Sequence, residues 1–107
     1  MAFDVQLQMT EGVAKITLTG SLDAASAPQF KEIIERAAAQ KAEKLVLFVK
    51  KLDFLASAGL QLLIYAKQKM GGNVDIYLIG SQGPVQDTLE MSGFHHSVHI
   101  QDSFADT

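Results

Sequence analysis

The sequence of 107 residues predicts a single α/β domain, spanning residues 1–107, in which an N-terminal β-hairpin precedes alternating helices and strands. Three observations support this prediction. Apolar and polar residues alternate at the start of the chain, one later run is apolar throughout, and the segments around that run repeat their apolar residues with a helical period. The resulting order, β-β-α-β-α-β-α-β, is typical of a mixed sheet with helices on at least one face.

The first twenty residues predict the hairpin. Residues 3–9 alternate between apolar and polar side chains, as in a half-buried strand, and residues 14–18 repeat the pattern. Between them, Glu11 and Gly12 form a candidate tight turn, because glycine tolerates a positive φ.

A helix is predicted after the hairpin. Ser26 is its candidate N-cap, Pro28 stands in the first turn, and Gln29 is placed to complete a capping box. The apolar residues that follow define one helical face, and the helix is expected to end near Gln40. These apolar residues are Phe30, Ile33, Ile34, Ala37 and Ala38.

The later elements follow from shorter signals. The uninterrupted apolar run at residues 45–49 is typical of a strand covered on both faces. After it we expect, in chain order, a helix from Ser57 to Met70 ended by Gly71 and Gly72, a strand at 74–79 closed by Gly80, a helix at 84–91 stopped by Ser92 and Gly93, and a strand at 98–100.

Composition excludes several classes of function. Without cysteine the chain has no disulfides, thiolate zinc sites, iron–sulfur clusters or cysteine nucleophiles. Its net charge of −3 argues against direct nucleic-acid binding through bulk charge. No leader pattern opens the chain, and its longest apolar run is far shorter than the ~20 residues of a bilayer span. We therefore expect a cytoplasmic protein that does not enter the membrane.

The most informative segment is 52–60, which joins the buried strand to the second predicted helix. Its residues 56–59 are all small, and Ser57 stands where the helix begins. A helix N-terminus offers free N–H groups and partial positive charge, so it would accept a phosphate carried on Ser57. Two other roles for Ser57 stay open: a simple N-cap, and a hydrolase nucleophile, although Leu55 replaces the first glycine of the G-x-S-x-G elbow.

The chain resembles the STAS domain family, and in particular the bacterial single-domain anti-sigma factor antagonists. The resemblance covers nearly the whole chain and rests on the order of several motifs. These are the hairpin, the G-x-L-D motif in Gly20-Ser21-Leu22-Asp23, the loop Asp53-Phe54-Leu55-Ala56-Ser57-Ala58-Gly59-Leu60, Gly80 with its short helix, and Ser92-Gly93-Phe94. It implies a mixed sheet with helices packed mainly on one face.

The resemblance also implies a partner-switching function without an active site or cofactor. The unphosphorylated antagonist binds an anti-sigma factor that is a serine kinase, and this frees the sigma factor. The kinase then phosphorylates the loop serine, which ends the association, and a PP2C-type phosphatase removes the phosphate. By this resemblance Ser57 is the phosphorylated residue, and the partner-binding residues are Asp23, Ala56, Ser57, Ala58, Gly59 and Leu60.

The loop departs from the family pattern at two positions. The family commonly has Asp-Ser-Ser-Gly or Asp-Ser-Thr-Gly, whereas Ala56 and Ala58 flank Ser57 here. The missing aspartate removes a charge that could orient the loop. The missing hydroxyl leaves Ser57 as the only residue of the loop that can accept a phosphate. A STAS scaffold that works without phosphorylation therefore stays open as an alternative.

Two further groups of residues are candidate sites. His95, His96 and His99 are candidate metal ligands, but a turn and a strand at these positions would separate them, so solvated or partner-facing side chains are expected instead of a metal site. Lys50 and Lys51 are either an attractor for a phosphate or an acidic partner, or a solvated strand end.

Overall fold

The computed structural model describes residues 3–71, 74–81 and 83–103, and these contain the predicted elements in the predicted order. The strands are β1 (Asp4–Thr10), β2 (Val13–Leu22), β3 (Lys44–Leu55), β4 (Asp75–Ile79) and β5 (His99–Gln101). The helices are α1 (Ala27–Ala39), α2 (Ser57–Met70) and α3 (Gly83–Ser92), with a 3-10 helix at Phe94–His96. Gly71 follows α2 with a φ of 92°, whereas Gly72, the second residue of the predicted stop, lies outside the described residues.

The sheet has five strands in the order β1-β2-β3-β4-β5, which is also their order in the chain. Strand β1 pairs antiparallel with β2, and the remaining pairs are parallel. Glu11 and Gly12, with φ of 49° and 82°, form the two-residue turn of the hairpin. Two positive φ values are typical of a type I′ turn, whose twist suits paired strands. The predicted hairpin and mixed sheet are confirmed.

All three α-helices pack on one face of the sheet, as expected. They share a single hydrophobic core with inward side chains of the strands, among them Leu45, Leu47 and Val49 of β3. The expectation that residues 45–49 are covered on both faces holds only in part, because four of the five residues are buried and Phe48 is not. On the opposite face Phe48 is half-buried, and Val46 is buried outside that core. Neighbouring strands shield Val46, since it lies in register between Lys15 and Tyr77.

Strand β3 is longer than the sequence pattern predicts and runs to Leu55. Its pairing with β2 shifts register between Thr17 and Thr19 and again between Gly20 and Ser21, so β3 contains two β-bulges. A bulge adds one residue and reverses the direction of the following side chains. The inward positions therefore move from Val49 to Leu52 and then to Leu55, which hides the alternation in the sequence.

Helix α2 begins in close contact with the ends of β2 and β3. An ideal Cβ at Gly59 would stand 2.6 Å from Leu22 Cγ and 2.8 Å from Leu55 Cδ1. Contacts this short are not found in folded proteins, so only glycine allows the first turn of α2 to lie directly on these two leucines. Gly59 thereby determines where the helix stands relative to the sheet.

In the described part of the chain, no helix combines the length and apolar character needed to cross a lipid bilayer.

We expect Gly59→Ala to lower the free energy of unfolding by about 1–3 kcal/mol, because the new methyl group overpacks the contact with Leu22 and Leu55. At a helix position without such contacts, glycine to alanine raises the free energy of unfolding by roughly 0.5–1 kcal/mol. A decrease therefore indicates the contact with the two leucines. Guanidinium unfolding of Gly59→Ala, of Leu22→Ala and of the double variant measures it. The double variant should lose at least ~1 kcal/mol less than the sum of the single losses, because Leu22→Ala makes room for the methyl group. Additive losses would contradict this contact.

Candidate functional site

The candidate site lies where β3 passes into α2, at the edge of the sheet formed by the carboxyl ends of β2 and β3. Leu22 and Leu55, the last residues of the two strands, are paired in register. The Ala56 N–H donates to the Leu22 carbonyl at 2.9 Å, and the Ala56 carbonyl accepts the first helical bond from the Leu60 N–H at 3.0 Å. One extended residue, Ala56, therefore makes the whole turn from strand to helix.

Ser57 is the first residue of α2, and its side chain is exposed. The N-cap is Ala56, which has no side-chain oxygen and makes no capping bond, so the interpretation of Ser57 as the N-cap is wrong. By helical geometry the N–H groups of Ser57, Ala58 and Gly59 have no carbonyl partner within the helix. The first turn of α2 contains no acidic residue. No acidic side chain within the first turn therefore neutralises the positive end of this helix.

Asp23 lies beside this helix start, one residue after the Leu22 carbonyl that holds Ala56. Its Oδ1 accepts hydrogen bonds from the N–H groups of Ala25 at 3.0 Å and Ser26 at 3.1 Å. The N–H and hydroxyl of Ser26, followed by the N–H of Ala25, hold the pKa of the Asp23 carboxyl below its usual value. The carboxylate therefore orders the turn that leads from β2 into α1.

The capping box predicted at α1 is absent, although Ser26 does precede the helix and Pro28 stands in its first turn. The Ser26 hydroxyl makes no capping bond. Its oxygen lies 2.9 Å from the Ser21 carbonyl and 3.1 Å from Asp23 Oδ1, the two acceptors that share its single proton, and it accepts a bond from the Asp23 N–H at 2.9 Å. Ser26 is buried in the turn that it shares with Asp23, which explains why its hydroxyl is drawn away from the helix.

The residues predicted to bind a partner divide into exposed and internal ones. Ser57 is exposed, and Asp23, Ala56 and Ala58 are half-buried at the surface of the site. Gly59 is buried against Leu22 and Leu55, and Leu60 is half-buried against the core. The structure thus brings all six positions together at one end of the sheet, but it presents only part of them to a partner.

Sequence reasoning missed Phe54 as a surface residue of this site. Phe54 is 48% exposed, although it is a large apolar side chain three residues before Ser57. The second bulge of β3 places it opposite Ser21 and turns it outward, next to exposed Asp53. The sequence carries no local signal for this, because Leu52 and Phe54 stand two residues apart, the spacing of one strand face, and only the bulge between them turns Phe54 outward. Lys50 and Lys51 are also exposed, but they lie within β3 and not at its end.

The three histidines do not form a cluster. His95 and His96 lie next to each other in the 3-10 helix with ring centroids 3.9 Å apart, whereas His99 stacks on Tyr77 and its Nε2 lies 3.6 Å from Asp75 Oδ1. Within residues 3–71, 74–81 and 83–103, no three histidine or acidic side chains come together in a way that could hold a metal ion. The same residues provide no hydrogen-bond partner for the Ser57 hydroxyl, as a nucleophile elbow would require.

A sequence model described as the STAS domain matches residues 4–107. No curated protein has a sequence significantly similar to this chain. Among solved structures, an anti-sigma factor antagonist from Mycobacterium paratuberculosis superposes with a TM-score of 0.88 at 18% identity, over 96% of this chain and 88% of that one.

Two structures of SpoIIAA have the same fold. The anti-sigma factor antagonist SpoIIAA in its unphosphorylated form has a TM-score of 0.74 at 20% identity, over 96% of this chain and 90% of that one. The phosphorylated form of SpoIIAA, a cell fate determinant of Bacillus, has a TM-score of 0.71 at 22% identity, over 91% of this chain and 90% of that one. At these identities the likeness is one of fold.

We expect Asp23→Asn to lower the stability of the protein at neutral pH and to have a smaller effect in acid. The pKa of Asp23 is lowered in the folded state, so its charged form contributes stability above the unfolded-state pKa of about 3.9. That contribution is lost as the pH falls through the folded-state pKa. Denaturant midpoints at about pH 7 and about pH 3 measure the difference between variant and wild type. Asp53→Asn, at an exposed carboxylate of β3, is the control. A difference for Asp23→Asn that stays constant with pH would contradict this role.

Proposed function

Because the chain belongs to the STAS domain family, we propose that it is an anti-sigma factor antagonist: it binds an anti-sigma factor in the cytoplasm and thereby frees a sigma factor. The family match extends over residues 4–107, almost the entire sequence. No second domain is needed for this role, since the output of an antagonist is a contact surface. The protein acts in this scheme as a binding partner and a substrate, and not as an enzyme.

The anti-sigma factor in this proposal is a serine kinase, and Ser57 is the residue that it phosphorylates. One observation carries this assignment: Ser57 is exposed at a helix N-terminus that has neither a cap nor an acidic first turn. A kinase must reach a hydroxyl that no internal hydrogen bond holds, and Ser57 meets that condition within the described residues. A PP2C-type phosphatase returns the protein to its unmodified state.

The electrostatics of the site give the switch its direction. A phosphate on Ser57 adds a charge of about −1.5 to −2 at neutral pH. Within the free protein this charge meets the unpaired N–H groups and the positive end of α2, which stabilises an exposed anion by roughly 0.3–1 kcal/mol. In a close contact with the kinase, the same charge must lose its water, and its repulsion from Asp23 and Asp53, which water screens in the free protein, becomes stronger. Phosphorylation therefore destabilises the complex and not the free protein.

The residues beside Ser57 favour a close contact in the unmodified state. Ala56 and Ala58 have the smallest side chains that still carry a Cβ, and Phe54 adds an exposed aromatic surface. Aromatic residues surrounded by well-packed neighbours are frequent anchors of protein interfaces. We assign Phe54, Ala56 and Ala58 to the kinase-binding surface together with Ser57 and Asp23.

A second function is a STAS scaffold that binds its partner without phosphorylation. The observation that favours it is Ala56, which stands where the family commonly has an aspartate. The same contact surface would serve this function, and only the response to a kinase separates the two.

We expect incubation with ATP and a serine-kinase anti-sigma factor from the same genome to add one phosphate, read as a single mass increase of the intact protein. Ser57→Ala should abolish the increase, and Ser21→Ala, at the neighbouring strand end, should leave it unchanged. Loss of the phosphate on adding a PP2C-type phosphatase completes the cycle. If Ser57→Ala is still phosphorylated to the same extent, the assignment of Ser57 is wrong. If every such kinase binds the protein but none modifies it, the scaffold function holds instead.

We expect Ser57→Asp and Gln68→Asp, which add the same charge at opposite ends of α2, to separate binding from stability. Ser57→Asp should weaken kinase binding at least about tenfold while its thermal midpoint stays level or rises slightly, since an acidic residue suits a helix N-terminus. Gln68→Asp, in the last turn, should lower the midpoint and leave binding intact. Calorimetric titration and thermal scans measure both. Equal affinities for the two variants would contradict the proposed switch.

A further inference from the structure

The outer edge of β1 is unpaired. Strand β1 is the first strand of the sheet and pairs only with β2, and among residues 3–71, 74–81 and 83–103 no other strand lies against it. Its seven residues pair with β2 in continuous register from Asp4 to Thr10, with no bulge. A straight strand of this length presents a row of free N–H and C=O groups to any strand that approaches it.

The hairpin turn determines which of these groups point outward. In a two-residue hairpin the flanking residues, here Thr10 and Val13, exchange both of their backbone hydrogen bonds. Pairing then alternates along the strand, so the even-numbered residues of β1 bond to β2. The N–H and C=O groups of Val5, Leu7 and Met9 therefore point away from the sheet.

Strand β1 has none of the usual features that protect an edge. It contains no lysine, no proline and no bulge, and Asp4 at its beginning is its only charged residue. Its inward side chains Val5, Leu7 and Met9 are only half-buried, as is Ile33 of the neighbouring helix α1. The open backbone groups thus run beside a stripe of apolar side chains that is incompletely covered.

We propose that this edge binds a second copy of the same chain, with the two β1 strands antiparallel and the two sheets joined into one. When the pairing is centred on Leu7, all seven residues of β1 lie opposite residues of the partner's β1. Leu7 then faces the partner's Leu7, Val5 faces the partner's Met9, and Gln6 faces the partner's Gln8. The outward groups of Val5, Leu7 and Met9 form about six hydrogen bonds across the axis.

Charge and side-chain type make this strand complementary to itself. In the same register Asp4 faces the partner's Thr10, so no two like charges are opposed. The apolar residues meet each other on the helix-covered face, and the glutamines meet on the exposed face. A foreign strand would need the same pattern, whereas a second copy has it by symmetry, as expected for an isologous interface.

The dimer leaves the candidate site accessible. Asp4, at the beginning of β1, pairs with Thr19 near the end of β2, so the helix start with Ser57 lies toward that end of the molecule. Antiparallel pairing directs the two sites to opposite ends of the joined sheet. The inference therefore stands independently of the proposed function.

The test places like charges across the pairing axis. In the variant Gln6→Lys/Gln8→Lys each new lysine faces a lysine of the partner, while both positions are exposed in the single chain. The control is Gln61→Lys/Gln101→Lys, which adds the same charge at exposed positions of α2 and of β5, the strand at the opposite side of the sheet from β1. Sedimentation equilibrium from about 1 μM to about 1 mM gives the dimer dissociation constant. Circular dichroism checks that each variant is folded.

We expect the wild type and the control to dimerise, and the edge variant to dimerise at least about tenfold more weakly. Mixing it with Gln6→Glu/Gln8→Glu should restore a mixed dimer. In amide exchange, protection of Val5, Leu7 and Met9 should rise with protein concentration, while Gln6 and Gln8 stay protected throughout. A monomer over the whole range, or a dimer that the edge charges do not weaken, would overturn the proposal.

Discussion

The contact between Gly59 and the two leucines at the ends of β2 and β3 is the constraint on which the candidate site depends. It lets the first turn of α2 lie directly on the sheet, and it leaves Ala56 as the only residue between strand and helix. Ser57 stands two residues before Gly59, about 200° around the helix from the residue that faces Leu22 and Leu55, so the same contact turns the serine outward. The exposure of the serine is thus a consequence of core packing.

The start of α2 is less stable than a capping residue at position 56 would make it. A serine, threonine or aspartate at position 56 would cap α2 and contribute about 1 kcal/mol, but Ala56 contributes no cap. At the neighbouring turn the opposite holds, because Asp23 and Ser26 satisfy each other with several hydrogen bonds. A rigid, fully bonded turn therefore stands beside a helix end whose donors are open. An added negative charge therefore finds open N–H donors at the start of α2 and not in the Asp23 turn.

The elements with a regular period were predictable from the sequence, including the hairpin, the three helices and the start of α2 at Ser57. The extension of β3 was not, because two bulges interrupt the alternation that identifies a strand, and the exposure of Phe54 was missed for the same reason. The capping box predicted at Ser26 does not form, because the Ser26 hydroxyl bonds to Ser21, five residues earlier, and the capping pattern considers only the residues that follow Ser26. The open edge of β1 depends on the order of strands in the sheet, which no local pattern contains.

The agreement between strand order and chain order has a consequence for how the protein forms during synthesis. Each new strand joins the edge made by the strand before it, so no segment has to wait for a distant one or be inserted between strands already paired. The hairpin, β3 and α2 complete the region around Ser57 by Met70, before β4 and β5 leave the ribosome. Chains grow at roughly 5–20 residues per second, which is slow compared with helix and hairpin formation. The part of the molecule that meets a partner can therefore assemble first, and the last third of the chain closes the core behind it.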